Sequence, residues 1–223
     1  MSSKNKQTKK KRQSNLWYDF IKVTGAIPVL CWMRPKILYA GEKKRIKGGF
    51  LIAANHISFV DPIVIHCAFA SRRLNCVATK DLFDTKMKNF FFKRMHCILV
   101  DKDNFNMRTF HTVCERLNEN KVVVVFPEGT VNSNHDDTIL TFKSGSILMA
   151  YKAQKPIVPV YMATIQKWWQ RRVVFIGDPI EVNPTGGMMP SLAEVRKINE
   201  RLHDKEEELI RYYKNYKEKT WRK

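Results

Sequence analysis

The chain has 223 residues and a hydrophobic content of 44%, so its length favours a single domain with one substantial core and additional segments at both ends. Its 40 Lys and Arg residues against 21 Asp and Glu residues give a formal net charge of +19, which predicts an anionic partner: nucleic acid, a membrane surface or a phosphorylated metabolite. We expect no exported or membrane-spanning protein, because a secretory signal and any apolar run of roughly 20 residues are both lacking. The five cysteines form no C-x-x-C pair, which fits a reduced, cytosolic compartment.

The N-terminal part divides into two segments. Residues 1–14 are basic, carry no acid and have almost no apolar side chain, which predicts a disordered arm. Residues 15–36 are apolar at near-helical spacing and contain Pro28, which predicts two short amphipathic helices. We expect them to associate with a membrane, with Trp17 and Trp32 as interfacial anchors; packing on the domain core is the alternative.

The central and C-terminal parts indicate the fold class. In residues 37–190, short β-branched runs such as 121–126, 157–163 and 173–177 alternate with stretches of helical periodicity. This pattern predicts a single α/β domain in which helices flank a mixed, mostly parallel sheet. Residues 191–223 place apolar side chains at helical spacing among many charges, which predicts one long, partly exposed, basic helix.

The first motif with chemical content follows a predicted strand. Residues 50–54 (FLIAA) run into residues 55–62 (NHISFVDP), which places His56 where α/β sheets usually bind ligands. Asp61 followed by Pro62 is typical of a helix start with Asp61 as the N-cap, and the same carboxylate can bend back to His56. Such a pair fixes the tautomer of the imidazole, whose other nitrogen can then take a proton from a hydroxyl. Alone, the spacing is common by chance.

The second motif is residues 122–130 (VVVVFPEGT), where a predicted buried strand breaks into a loop. Gly129 can expose backbone N–H groups to a phosphate or to a developing oxyanion. Glu128 can bind donors on a substrate or hold Arg or Lys in place. An ordinary strand-to-loop turn is the alternative.

With both motifs in this order, the sequence resembles the glycerolipid acyltransferase family typified by 1-acyl-sn-glycerol-3-phosphate acyltransferases, whose signature is N-H-x-x-x-x-D followed by F-P-E-G-T. Further segments, among them 77–83 and 142–150, extend the resemblance over about two thirds of the chain.

The resemblance implies transfer of a fatty acyl group from acyl-coenzyme A or acyl carrier protein to the free hydroxyl of 1-acyl-sn-glycerol-3-phosphate, which forms phosphatidic acid. His56, oriented by Asp61, would act as general base without a covalent acyl-enzyme, while Glu128, Gly129 and Thr130 would bind the acceptor. It implies no cofactor beyond the acyl donor.

The sequence departs from the family pattern near the expected phosphate site. His96 stands at a usual glycine and Lys102 at a usual Arg, while Val131 and Asn132 follow Thr130 in place of Arg and Ser. We expect Lys102 or Lys143 to supply the phosphate-binding cation. A different lysolipid or glycerol-3-phosphate is therefore an alternative acceptor.

Three other interpretations are weaker. A hydrolase with Ser58 as nucleophile would lack a G-x-S-x-G elbow, and no metal site is expected because the other histidines show no ligand spacing. A non-catalytic basic module that binds membrane or nucleic acid would leave both motifs unexplained. We therefore expect no nucleic acid partner, and a peripheral or monotopic protein on an anionic membrane surface at the cytoplasmic face.

Overall fold

The computed structural model describes residues 15–41, 46–100, 107–132, 142–164, 171–183, 187 and 189–221. The predicted basic arm at residues 1–14 and Lys102 lie outside these residues. The strands are β1 (Lys36–Tyr39), β2 (Phe50–Ala54), β3 (Leu74–Thr79), β4 (Ile98–Val100), β5 (Val122–Val125), β6 (Ile157–Met162) and β7 (Val173–Ile176). The α-helices are α1 (Asn15–Met33), α2 (Asp61–Ala68), α3 (Lys86–Arg94), α4 (Met107–Asn118), α5 (Gly145–Lys152) and α6 (Leu192–Trp221), and a short 3-10 helix spans Lys80–Phe83.

The seven strands form one mixed sheet in the order β1-β7-β6-β2-β5-β3-β4. From β6 to β4 all neighbouring strands are parallel, whereas β7 runs antiparallel to β6 and carries β1 as its parallel neighbour. The predicted α/β domain with a mostly parallel sheet is thus confirmed. Because β2 lies between β5 and β6, the loops that follow these three strands meet at one edge of the sheet.

Both faces of the central strands are buried, which is why β2, β5 and β6 read as continuous apolar runs. Along β2, Leu51 and Ala53 belong to one core cluster with residues of α4, α5 and α6, whereas Phe50, Ile52 and Ala54 belong to a second cluster with residues of α2. This alternation follows from the two-residue period of a strand. The sheet is therefore a central layer that holds the strand-end loops rigidly.

The N-terminal segment is one helix, so the prediction of two short helices is wrong. Pro28 lies inside α1, where it removes a backbone donor without ending the helix. Tyr18 is buried: its hydroxyl accepts the N–H of Leu74 at 2.7 Å, and Asp19 pairs with Arg73. One face of α1 therefore packs on the domain while Leu16, Trp17 and Phe20 stay exposed, and its membrane association stays a prediction.

The predicted long C-terminal helix is confirmed as α6. Ile198 and Leu202 join the core beneath α5, and Leu209 and Tyr213 pack over β6 and β7. Among the helices of the described ranges, none combines the length and the apolar composition needed to cross a membrane.

Candidate active site

The loop after β2 is fastened to the neighbouring strand by Asn55. The buried side-chain amide of Asn55 donates to the carbonyl oxygen of Met162 at 3.0 Å, and its oxygen accepts the N–H of Met162 at 2.7 Å. Both backbone groups belong to the last residue of β6, beside which β2 ends. Asn55 therefore fixes the point at which the chain leaves the sheet and sets the position of His56.

His56 and Asp61 form the hydrogen-bonded pair that the sequence predicts. Nδ1 of His56 lies 2.9 Å from Oδ2 of Asp61, a carboxyl group without solvent exposure. The ring of His56 also stacks on Phe126, with the ring centroids 4.2 Å apart, so the two motifs are in direct contact. Because Nδ1 donates to Asp61, Nε2 is the nitrogen that can accept a proton from a bound hydroxyl.

Asp61 turns back into the loop and does not cap α2, so that part of the prediction is wrong. Val60 occupies the N-cap position, and Oδ2 of Asp61 accepts the backbone N–H groups of Ile57 and Ser58, each at 2.7 Å. Pro62 stands at the start of the helix as expected, where its missing N–H costs no hydrogen bond. The carboxylate thus holds the backbone on which His56 sits as well as the imidazole itself.

Arg172 completes the surroundings of Asp61, a contact that the sequence analysis did not predict. Nη1 of this buried guanidinium lies 3.3 Å from Oδ1 of Asp61. Arg172 directly precedes β7, and because β7 runs antiparallel to β6, its first residues lie at the edge where β2 and β6 end. Burial lowers the pKa of Arg172 and the charge of Asp61 opposes that shift.

The loop after β5 lies beside His56. The N–H of Asn132 donates to the carbonyl oxygen of His56 at 2.7 Å, and the N–H of Gly129 closes a turn on Phe126 at 3.0 Å. Gly129 has a φ of +73°, and a Cβ atom there would lie 3.0 Å from Nζ of Lys143. Glycine is therefore favoured at this turn, and Lys143, the lysine predicted to bind phosphate, lies beside it.

A large apolar cavity with a volume of about 1330 Å³ opens beside His56. This exceeds the roughly 300–1,000 Å³ of an ordinary ligand pocket. His56, Gly129, Thr130 and Lys143 contribute to its wall. Most of the remaining wall is apolar, with side chains such as Ile21, Phe59, Ile63, Phe91, Phe92 and Met95. The cavity has the volume and the apolar lining to hold a long hydrocarbon chain, with the imidazole of His56 in its wall.

The comparisons with known proteins agree with this geometry. The sequence model of the family described as Acyltransferase matches residues 36–163, which include both motifs and all the strands from β1 to β6. The chain belongs to the acyltransferase family.

Several relatives carry the same name. The 1-acyl-sn-glycerol-3-phosphate acyltransferase of Bacillus subtilis is 29% identical over 60% of this chain and 66% of its own length. The enzyme of that name from Borreliella burgdorferi is 27% identical over 81% of this chain and 74% of its own length. A probable enzyme of that name from Mycoplasma genitalium matches 56% of this chain at 32% identity, and the match spans only 48% of that relative.

The fold also has a solved counterpart. The crystal structure of the 1-acyl-sn-glycerophosphate acyltransferase of Thermotoga maritima superposes with a TM-score of 0.61, covering 86% of this chain and 79% of that one at 23% identity. The two chains therefore share one fold over most of their lengths.

Glu128 of this acyltransferase-family chain is buried and is not one of the residues that line the cavity. Burial raises the pKa of Glu128 to about 7, with a further contribution from the charge of Asp61, while the backbone N–H of His56 opposes the shift. Glu206 of α6 is also fully buried, and burial followed by the charge of Glu128 raises its pKa well above the usual value. The predicted contact of Glu128 with the acceptor stays a prediction.

His96, which departs from the family pattern, and Ser58, the nucleophile of the hydrolase alternative, both have local structural roles. His96 has a φ of +57°, the left-handed region in which glycine is usual, and its ring stacks on Tyr18 with the centroids 4.8 Å apart. Ser58 uses its backbone N–H on Asp61, and its Oγ accepts a long bond of 3.5 Å from the N–H of Val60. Ser58 therefore serves the turn that holds His56.

Proposed function

We propose that this protein transfers a fatty acyl group from an acyl thioester to the free hydroxyl of 1-acyl-sn-glycerol-3-phosphate, forming phosphatidic acid. The observation that carries the proposal is the His56–Asp61 pair at the wall of a large apolar cavity, next to the turn at Gly129. The shared name of the relatives supports the same acceptor.

The acyl transfer needs a general base and a site that stabilises the negative charge of the tetrahedral oxyanion. Nε2 of His56 takes the proton of the acceptor hydroxyl as the oxygen attacks the thioester carbon. The tetrahedral oxyanion collapses, the carbon–sulfur bond breaks, and the thiolate leaves with the proton that His56 carried. Asp61 stabilises the imidazolium in between, at a carboxylate held by two backbone N–H groups and Arg172.

The acceptor phosphate is assigned to the cavity wall near Lys143. This ammonium group lies against the turn at Gly129, and Thr130 beside it lines the same cavity. A single charge-assisted contact of this kind is worth about 1.5–3 kcal/mol. Lys102 remains a second candidate from the sequence.

Donor and location complete the proposal. The donor is acyl-coenzyme A or acyl carrier protein, both of which present the same thioester. The protein acts at the cytoplasmic face of an anionic membrane without crossing it. The exposed apolar side chains of α1 and the net charge of +19 support this location.

A radiolabel transfer assay with purified protein on liposomes tests the proposal. Labelled acyl-coenzyme A or acyl carrier protein is supplied with lysophosphatidic acid, glycerol-3-phosphate, lysophosphatidylcholine or no acceptor. We expect label in phosphatidic acid, with lysophosphatidic acid preferred. Label in the product of another acceptor alone would overturn the acceptor assignment, and no transfer from either donor would overturn the activity.

A further inference from the structure

The helix α3 is unusual because it contributes no buried residue to the fold. Its sequence KMKNFFFKR carries three phenylalanines and a methionine, yet Met87 is 80% exposed, Phe90 55% and Phe91 43%. A helix that only completes the domain would turn such a set of side chains into the core. The apolar side chains of α3 are therefore available to contact a surface outside the described part of the chain.

These side chains continue onto α1. The guanidinium of Arg94, at the end of α3, lies 3.9 Å from the ring centroid of Phe90 and 5.1 Å from that of Trp17. Trp17 in turn meets Phe20 edge to face, with the centroids 6.0 Å apart. Trp17, Phe20, Met87, Phe90 and Phe91 are named here the apolar face, a group of neighbouring exposed side chains rather than scattered single ones.

The apolar face adjoins the large cavity. Phe91 belongs to the face and to the cavity wall, and Phe92, the next residue of α3, lines the cavity too. Ile21 lines it from α1, directly after Phe20. A lipid that touches the apolar face is therefore beside the space in which the acyl chain must lie.

The basic side chains around the apolar face favour an anionic bilayer as its binding partner. Within α3, Lys86, Lys88, Lys93 and Arg94 are basic and no residue is acidic, although Asp81 and Asp84 lie just before the helix. Long basic side chains that flank aromatic ones are typical of helices that lie in the headgroup region of anionic bilayers, where the stems follow the apolar groups inward and the charges meet phosphate.

We propose that α3 is a second membrane-binding element, which inserts Met87, Phe90 and Phe91 into an anionic bilayer next to the exposed side of α1 and so opens the cavity directly to the lipid. This inference deepens the proposed function and rests on it for the identity of the lipid substrate. The predicted N-terminal anchor alone leaves the composition of α3 unexplained.

Vesicle flotation tests the proposal with a matched pair of variants. The double variant Met87→Ser/Phe90→Ser removes apolar groups of α3 that do not line the cavity, and Met189→Ser/Leu192→Ser removes two side chains that are 75% and 88% exposed elsewhere. On vesicles of phosphatidylcholine with phosphatidylglycerol, we expect the α3 variant to lose about tenfold or more in partitioning and the control to keep wild-type partitioning. Equal flotation of the two variants would overturn the proposal.

Charge and self-association give independent checks. Lys86→Ser/Lys88→Ser should reduce the difference between vesicles with and without phosphatidylglycerol, and an unchanged difference would contradict the anionic occupant. Sedimentation without lipid tests a second copy of the chain as the occupant: a wild-type dimer that Met87→Ser/Phe90→Ser dissociates would overturn the membrane assignment.

The flotation result does not depend on catalysis. If wild-type protein transfers no acyl group, the proposed function fails while the vesicle comparison still decides whether α3 binds membrane. If wild-type protein is active and the α3 variant floats normally, only the role of α3 is lost. With short-chain substrates dispersed as monomers, the α3 variant should keep wild-type turnover, because its substituted residues are outside the cavity wall.

Discussion

The two loops that meet at the cavity are held in different ways. After β2, the defined residues of the signature are hydrogen-bonded: the side chain of Asn55 binds the end of β6, and Asp61 accepts from His56, Ile57, Ser58 and Arg172. After β5, the turn rests on backbone bonds of Gly129 and Asn132, while the side chains of Thr130 and Lys143 are exposed in the cavity. The first loop is thus fixed before any substrate binds, and the second offers side chains that a substrate can order.

The largest effect should come from the fixed loop. Asp61→Asn replaces an acceptor of four hydrogen bonds by an amide whose NH2 group faces backbone donors, so His56 loses its orientation and its stabilised imidazolium. We expect kcat to fall by about 10²–10⁴-fold, with KM for the acceptor little changed. Steady-state transfer kinetics measure this, and a KM effect without a kcat effect would place Asp61 in acceptor binding instead.

A substitution in the loop after β5 should change KM rather than kcat. Lys143→Ala removes the ammonium beside Gly129 and should raise KM for lysophosphatidic acid by about 10–100-fold while kcat changes little. Lys152→Ala, an exposed lysine at the end of α5, is the control and should behave as wild type. If Lys143→Ala leaves KM unchanged, the phosphate is bound by another group, of which Lys102 is the first to test.

Arg172 supports the loop after β2 from a distant part of the chain. Arg172→Met should lower the free energy of unfolding by about 1–3 kcal/mol, since Oδ1 of Asp61 loses a charged donor in a buried site. The fall in kcat should be smaller than that of Asp61→Asn. Denaturant titration measures the stability, with the exposed neighbour Arg171→Met as control. Equal changes in the free energy of unfolding for the two variants would show that the contact with Asp61 does not stabilise the fold.

Glu128 should affect stability more than turnover. Its pKa rises from 4.5 to about 7 on folding, so between these values the folded state holds more protons than the unfolded state. The free energy of unfolding therefore falls as pH rises through this window, by roughly 3 kcal/mol at most. Glu128→Gln removes this dependence and should gain stability relative to wild type from about pH 5 to 8. A stability difference between Glu128→Gln and wild type that does not vary with pH would contradict a raised pKa of this buried carboxyl group.

The sequence alone predicted the features that depend on residues close to one another along the chain. The apolar runs predicted β2, β5 and β6, and parallel strand ends explain why His56 and Gly129 meet. Arg172 is 111 positions from Asp61, and only the antiparallel direction of β7, which has no signal in the sequence, brings it there.

Sequence rules for helix starts and helix breaks gave wrong predictions where tertiary contacts compete with local preferences. Asp61 fits the N-cap pattern, but its carboxylate gains two backbone donors and an imidazole by turning away from α2. Pro28 fits a helix break, but α1 continues through it to Met33, while Tyr18 and Asp19 hold its first turns on the domain. Nothing in the composition of residues 86–94 alone distinguished an exposed α3 from a buried one.

The proposed mechanism depends on His56, which is oriented by Asp61 and removes the proton of the acceptor hydroxyl. The most direct measurement is single-turnover acyl transfer to lysophosphatidic acid by His56→Ala, beside His203→Ala, a histidine on the exposed side of α6. We predict that His56→Ala loses transfer while it still floats with anionic vesicles, and that His203→Ala transfers at the wild-type rate. Wild-type transfer by correctly folded His56→Ala would contradict the claim.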